Sequence, residues 1–260
     1  MTAAAGLPIV VVAVLVGGPL FAFAAGTVAL LASTEFVHGW LMPSRPIREA
    51  ARLVAGFAPA AIIVTGSYWS GTYVWTAMVV AAIFAGLSYL PAARVGPRKP
   101  FRVQAGALIY CGVLLSTLVL TRGLEDGRSW TLIGLLATFA TDSGAYATGR
   151  AIGRHKLAPA ISPKKTWEGA IGGYVAGVAA VLGLNAAFST NASTATVLPL
   201  ALVIPVVSQA GDLFESWMKR RMGVKDASGL LPGHGGFLDR LDSILFVFPV
   251  LYLFVRWRVA

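Results

Sequence analysis

Asp212, Glu215, Ser216, Lys219 and Arg220 recur at i, i+3, i+4, i+7 and i+8. On a helix this spacing gathers them into one polar stripe. The stripe continues an apolar run, so Asp212 stands within the apolar stretch and Lys219 beyond it. A carboxylate with cations one and two turns away suits a metal-bound polyphosphate, because the metal needs anionic oxygen and the phosphates need positive charge. A helix end with snorkelling cations and a paired acid would carry the same pattern. Further on, Pro232-Gly233-His234-Gly235-Gly236 is rich in breakers. Its glycines permit positive φ and close backbone approach, and N–H groups ahead of a helix can receive phosphate; a plain turn has the same composition. Asp239-Arg240-Leu241-Asp242 then opens the last apolar run. Its two acids, three residues apart, are expected to share a helix face. The helix dipole accounts for one of them, while the pair together fits a metal or base site.

Two more groups stand apart from that stretch. Asp142 in Asp142-Ser143-Gly144-Ala145-Tyr146 is embedded among Leu, Ala, Thr and Phe. An acid there needs a partner, either a Lys or Arg from a neighbouring loop or a metal. Ser162-Pro163-Lys164-Lys165-Thr166-Trp167-Glu168-Gly169 sets hydroxyls beside two lysines ahead of another apolar run. That suits a phosphate-bearing lipid headgroup, although basic residues flanking a span are ordinary. His155 reads as a loop residue, and His38 and Cys111 carry no signal.

The elements that must position these groups are membrane spans. Of the 260 residues 57% are hydrophobic and 12% charged, against about 25% charged in a soluble domain. The apolar runs lack the alternation of barrel strands, so helices are expected. They fall at 7–33, 53–68, 72–91, 103–121, 130–149, 169–188, 197–217 and 242–257. Gly17-Gly18-Pro19 sits in the middle of the first run and can break it, so that run is either one tilted span or two short ones, giving eight or nine in all. The net charge is +10. All Lys and Arg except Arg122, Arg128, Arg256 and Arg258 lie in segments 34–52, 92–102, 150–168 and 218–241, on one side of alternating spans. By the positive-inside rule that side is cytoplasmic. No cleavable leader is expected, since a basic stretch ahead of the first apolar run is missing. One cysteine excludes a disulfide framework.

The chain therefore reads as an all-α polytopic membrane protein in a single membrane domain, 1–260. Residues 1–130 form a scaffold half, and residues 131–260 a chemical half with its site at the cytoplasmic ends of the C-terminal helices. Seven of the 11 acids lie in the second half. Carboxylates for a divalent metal, cations for phosphates and a lipid-level position imply an enzyme acting on a lipid phosphate by metal-assisted charge neutralisation. A Ser–His–Asp hydrolase is excluded by the lack of a nucleophile elbow. A transporter is disfavoured because the acids gather at one level instead of lining several spans. Nucleic acid is not an expected partner.

Ser216-Trp217-Met218-Lys219-Arg220, Lys225-Asp226 and Leu231 through Asp242 together resemble the signature of the phosphatidate cytidylyltransferases. The segments around Asp142 and from Gly153 to Gly169 are similar to bacterial members. The resemblance is specific over about 138–250 and only topological over 1–130. It implies CTP and phosphatidate as substrates, CDP-diacylglycerol and pyrophosphate as products, and Mg²⁺ as cofactor with K⁺ as a companion. Under it Asp212 and Asp239 are the metal ligands. Ser216, Lys219, Arg220 and Asp242 join them in catalysis. Ser162, Lys164, Lys165, Lys225, Asp226, His234, Gly235, Gly236 and Asp142 serve substrate binding. The expected setting is the plasma membrane (the inner membrane of a bacterium), with the site facing the cytoplasm and room for a homodimer. The alternative is a cytidylyltransferase for a different, isoprenoid-type lipid phosphate.

Overall fold

The computed structural model describes residues 11–41, 64, 68, 99–188, 190–228 and 235–259. The expected spans at 53–68 and 72–91 fall almost wholly outside the described residues, and His234 does so entirely. The chain divides into two compact units, Met1–Leu120 with Arg221–Leu241, and Thr121–Arg220 with Asp242–Ala260.

In the first unit, residues 11–16 are helical and the chain breaks at Gly17. Gly17 and Gly18 both have positive φ, 66° and 61°, a conformation that glycine adopts without steric cost. Helix α1 resumes over Gly18–Leu41, so the first run is broken at the glycines, where the sequence had allowed either a break or one continuous span. Helix α2 (Lys99–Ala107) passes through one π-helical segment, Leu108–Val113, into α3 (Leu114–Arg122). The absence of a Cβ at Gly106 lets α1 come close there, for one would stand 3.3 Å from Phe36. The Phe36 ring in turn packs at 5.9 Å from that of Tyr110. This unit closes with the loop from Gly223 and a 3₁₀ turn, Leu238–Arg240.

The second unit is built on a close pair, α4 (Gly127–Ile152) and α5 (Trp167–Ala187). Small residues make the approach possible. A Cβ on Gly173 would lie 2.7 Å from the Thr141 carbonyl, and one on Gly144 would lie 2.5 Å from Ala176. Such contacts let helix backbones meet and are common between membrane helices. Between α4 and α5 the chain makes an antiparallel hairpin, β1 (Lys156–Ala158) with β2 (Ser162–Thr166). The all-α expectation is corrected at this point. Pro159 stands beside the turn, where Ile161 N–H donates to Ala158 O at 3.1 Å, and a short ladder satisfies backbone groups that a bare loop would leave to water. Thr166 ends the hairpin and starts α5, its side chain accepting from Gly169 N–H at 3.1 Å, the usual N-cap bond.

Helix α6 spans Thr194–Met222 and contains Pro199 and Pro205. Pro205 packs where Gly177 of α5 has no side chain. The last helix, α7, runs from Ile244 to Arg258. It does not include Asp239 and Asp242, so these two acids do not share a helix face as expected. Asp239 lies in the 3₁₀ turn of the first unit, where its side chain folds back onto the preceding loop (below). The core of the second unit gathers Trp130, Ile133, Ile204, Leu245, Phe248 and Leu251, all buried.

Among the described residues four helices are long and apolar enough to cross a membrane: Gly18–Leu41, Arg102–Arg122, Trp167–Ala187 and Thr194–Met222. The protein is mostly helical with candidate membrane spans.

Candidate active site

In the second unit α4, the hairpin, α5 and α6 enclose a pocket of about 340 Å³. Asp142, Lys164, Lys165 and Asp212, four residues singled out from the sequence, line it together although they are up to 70 positions apart. Asp212 has a cation partner from outside the polar stripe of α6. Lys165 of β2 reaches it, Nζ to Oδ2 at 2.6 Å, with both side chains mostly buried. Lys219 pairs one turn back with Glu215 at 2.9 Å, and the Glu215 side chain is only 1% exposed. Arg220 donates from Nε to the Ile161 carbonyl at 3.2 Å, tying α6 to the hairpin turn. The i, i+4 arrangement expected of a polar stripe is therefore present, with each cation given its own acceptor.

Asp142, Asp212 and Asp242 lie close enough to act on one another electrostatically, and Lys165 offsets part of that repulsion. Gly211 brings α6 against the chain just ahead of α7, for a Cβ there would stand 2.7 Å from the Asp242 carbonyl. Among the described residues no group of three or more His, Cys, Asp or Glu could by itself hold a metal ion. The donors present are carboxylate oxygens flanked by lysines. Mg²⁺ is commonly held by one or two carboxylates together with substrate phosphates, not by an all-protein cage. The donor set therefore fits a magnesium that arrives with a polyphosphate.

Sequence reasoning misses two residues that line this pocket, and the anchoring role of Glu168 beside it. Arg150 reads in sequence as a plain loop charge, yet it ends α4 at the pocket and donates to the Tyr146 hydroxyl at 2.8 Å. Gln209 lines it as well, held by donation from Nε2 to the Ala170 and Pro205 carbonyls at 3.2 and 3.3 Å. One signal was available for Gln209: it is an amide three positions before Asp212 in an otherwise apolar run. Glu168 anchors the hairpin, accepting from the Arg154 and His155 N–H groups and meeting His155 Nδ1 at 2.6 Å. Ser162 lies at the start of β2, paired with Ala158, and does not line the pocket.

The first unit holds the other part of the signature. Asp239 Oδ2 accepts from Ala227 N–H at 3.0 Å and Gly236 N–H at 2.7 Å, closing the loop. Gly235 has φ +75° and leaves room for that carboxylate, which a Cβ would meet at 2.6 Å. The Phe237 and Leu238 N–H groups donate to Glu35 of α1. Of the glycine-rich stretch expected either to receive phosphate or to form a plain turn, the Gly236 N–H is engaged with Asp239, and residues 232–234 lie outside the described residues. Glu35 reads in sequence as a loop acid; it is fully buried in α1. Lys225 and Asp226 are exposed on the loop after α6. Asp239 and Asp212, the two expected metal ligands, belong to different units.

Two relatives named phosphatidate cytidylyltransferase illustrate what this chain is similar to. That of Brucella suis is 49% identical over 151 residues, which is 58% of this chain and 56% of the relative. That of Staphylococcus saprophyticus is 40% identical over 145 residues, 56% of this chain and 55% of the relative. The matched stretch thus spans about half the length of these curated relatives. The model of the cytidylyltransferase family matches residues 1–257, including the first half, where the sequence had offered only a topological likeness. With that pattern running through every site described above, the chain belongs to the cytidylyltransferase family.

Proposed function

We propose that the protein transfers a cytidylyl group from CTP to phosphatidate, giving CDP-diacylglycerol and pyrophosphate. The observation that carries this reading is the pocket in which Asp142 and Asp212 face Lys164, Lys165 and Arg150. Such a site can receive a metal-associated polyphosphate and the anionic phosphate of a lipid. Asp212 is proposed as a metal ligand, with Asp142 and Asp242 shaping the negative field beside it. Asp239 carries the same proposed role from the signature. Bound Mg²⁺ would supply charge neutralisation on the phosphates.

The protein's own groups act as follows. Lys164, Lys165 and Arg150 hold phosphate oxygens and offset the charge that builds as pyrophosphate leaves. Ser216, Lys219 and Arg220, with Ser162, are proposed to extend that contact along α6 and the hairpin. Lys225, Asp226 and His234 are proposed substrate contacts, and Gly235 and Gly236 shape the loop that holds Asp239. The attacking phosphatidate oxygen is already anionic, so no strong general base is required. The bond formed is from that oxygen to the α-phosphorus, and the bond broken joins the α-phosphorus to the bridging oxygen of pyrophosphate, which departs with the electron pair.

The eight or nine spans, the plasma-membrane setting, the cytoplasmic site, K⁺ beside Mg²⁺ and a homodimer belong to the same proposal; the skew of Lys and Arg supports the orientation. The test is purified protein with labelled CTP, offered phosphatidate or an isoprenoid phosphate, with and without Mg²⁺. Mg²⁺-dependent CDP-diacylglycerol with release of pyrophosphate is expected. Labelling of the isoprenoid phosphate alone would favour the alternative acceptor, and labelling of neither would overturn the proposal.

A further inference from the structure

Glu35 is the one acid of α1, a mostly apolar helix, and none of its surface is exposed. Both of its oxygens are used, and among the described residues its donors come from one distant segment. Ser228 Oγ donates to Oε1 at 2.6 Å, Phe237 N–H to Oε1 at 3.0 Å, and Leu238 N–H to Oε2 at 2.7 Å. Gly236 is where it is because of this carboxylate: a Cβ there would lie 2.6 Å from Glu35 Cδ and Oε1. The three donors bracket the loop that Asp239 closes through Ala227 and Gly236. The Leu238 N–H held by Glu35 also begins the 3₁₀ turn that carries Asp239. A buried acid is retained where its hydrogen bonds serve something a neutral residue could not provide.

We infer that Glu35 is a positioning residue, fixing from α1 the loop that presents Asp239 for metal-dependent cytidylyl transfer. This rests on the function proposed above. A neutral amide cannot replace the carboxylate. In Glu35→Gln one oxygen would remain, and the new NH₂ group would face backbone N–H donors, setting donor against donor. The loop would then be released at Phe237 or Leu238, and Asp239 with it.

The experiment compares wild type, Glu35→Gln and Ser228→Ala as full-length protein in detergent. Ser228→Ala removes one donor and leaves the buried carboxylate its two backbone partners, so it remains informative if Glu35→Gln fails to fold. The first readout is independent of catalysis: the rate of tryptic cleavage after Lys225, on the exposed part of the same loop. Glu35→Gln should be cut at least tenfold faster there, and Ser228→Ala a few-fold faster. The second is the Mg²⁺ concentration giving half-maximal activity. It should rise at least fivefold in Glu35→Gln and in the same direction in Ser228→Ala, with KM for phosphatidate changed less than twofold. Unchanged cleavage after Lys225 would overturn the positioning role. Faster cleavage with an unaltered Mg²⁺ requirement would reduce Glu35 to a structural tie and overturn it equally. If the wild type forms no CDP-diacylglycerol, the proposed function fails by itself, while the cleavage rates still decide whether Glu35 holds the loop.

Discussion

Lys165 provides the sharpest test, because its ion pair makes stability and activity respond by different amounts. Its Nζ lies 2.6 Å from Asp212 Oδ2, with 24% and 30% of the two side chains exposed. At an effective dielectric of about 20, Coulomb attraction at that distance is about 6 kcal/mol before desolvation and side-chain entropy are subtracted. Measured exposed pairs contribute roughly 0.2–1 kcal/mol, and breaking fully buried pairs costs about 3–5. A pair with this exposure falls between, so Lys165→Met should cost about 1–2 kcal/mol. For a chain near this size that lowers Tm by about 2–8 °C. Losing a cation that neutralises phosphate charge in the transition state costs about 3–4 kcal/mol, or 100- to 1,000-fold in turnover. The assay is kcat/KM for CTP in CDP-diacylglycerol formation, beside thermal unfolding in the same detergent. Adding Asp212→Asn to Lys165→Met separates the two roles. The double variant removes both charges, so stability should recover while activity stays lost. Activity that recovers with stability, or a Lys165→Met enzyme retaining more than a tenth of wild-type kcat/KM, would refute a phosphate-binding Lys165.

Two further outcomes test the parts that hold the pocket. Gly173→Val should destabilise the protein by about 1–3 kcal/mol through overpacking, because its Cβ would meet Thr141 O at 2.7 Å and Ala145 Cβ at 2.8 Å; Gly183→Ala, with nothing within 4 Å, should not, and thermal unfolding of the two reads the difference. Glu168→Gln should loosen the hairpin by weakening its hold on Arg154, His155 N–H and His155 Nδ1; hydrogen exchange at those two amides should accelerate at least tenfold, and unchanged exchange would show that the carboxylate's charge is not what anchors β1.

Residue types and their order alone were enough for much of this. The apolar runs marked four helices now seen as candidate spans, because bilayer-length apolarity needs no tertiary context. The Gly17-Gly18 break was legible because only glycine takes that backbone angle cheaply. The polar stripe from Asp212 to Arg220 was legible because helical spacing is local. Asp142, Lys164 and Lys165 could be named as candidates because charge beside apolar runs demands a reason.

What tertiary structure decided was partnership. The stripe offered Asp212 cations about two turns away, at Lys219 and Arg220, yet Lys165, 47 residues earlier, pairs with it, since the hairpin brings β2 across to α6. The glycine-rich stretch read equally as a phosphate cradle or a plain turn; in the fold the Gly236 N–H goes to Asp239, and the Phe237 and Leu238 N–H groups just after it go to Glu35. Glu35 acts on residues some 200 positions away. Periodicity reads one element at a time. A carboxylate's worth is set by which donors the fold brings to it, and no window of sequence contains both.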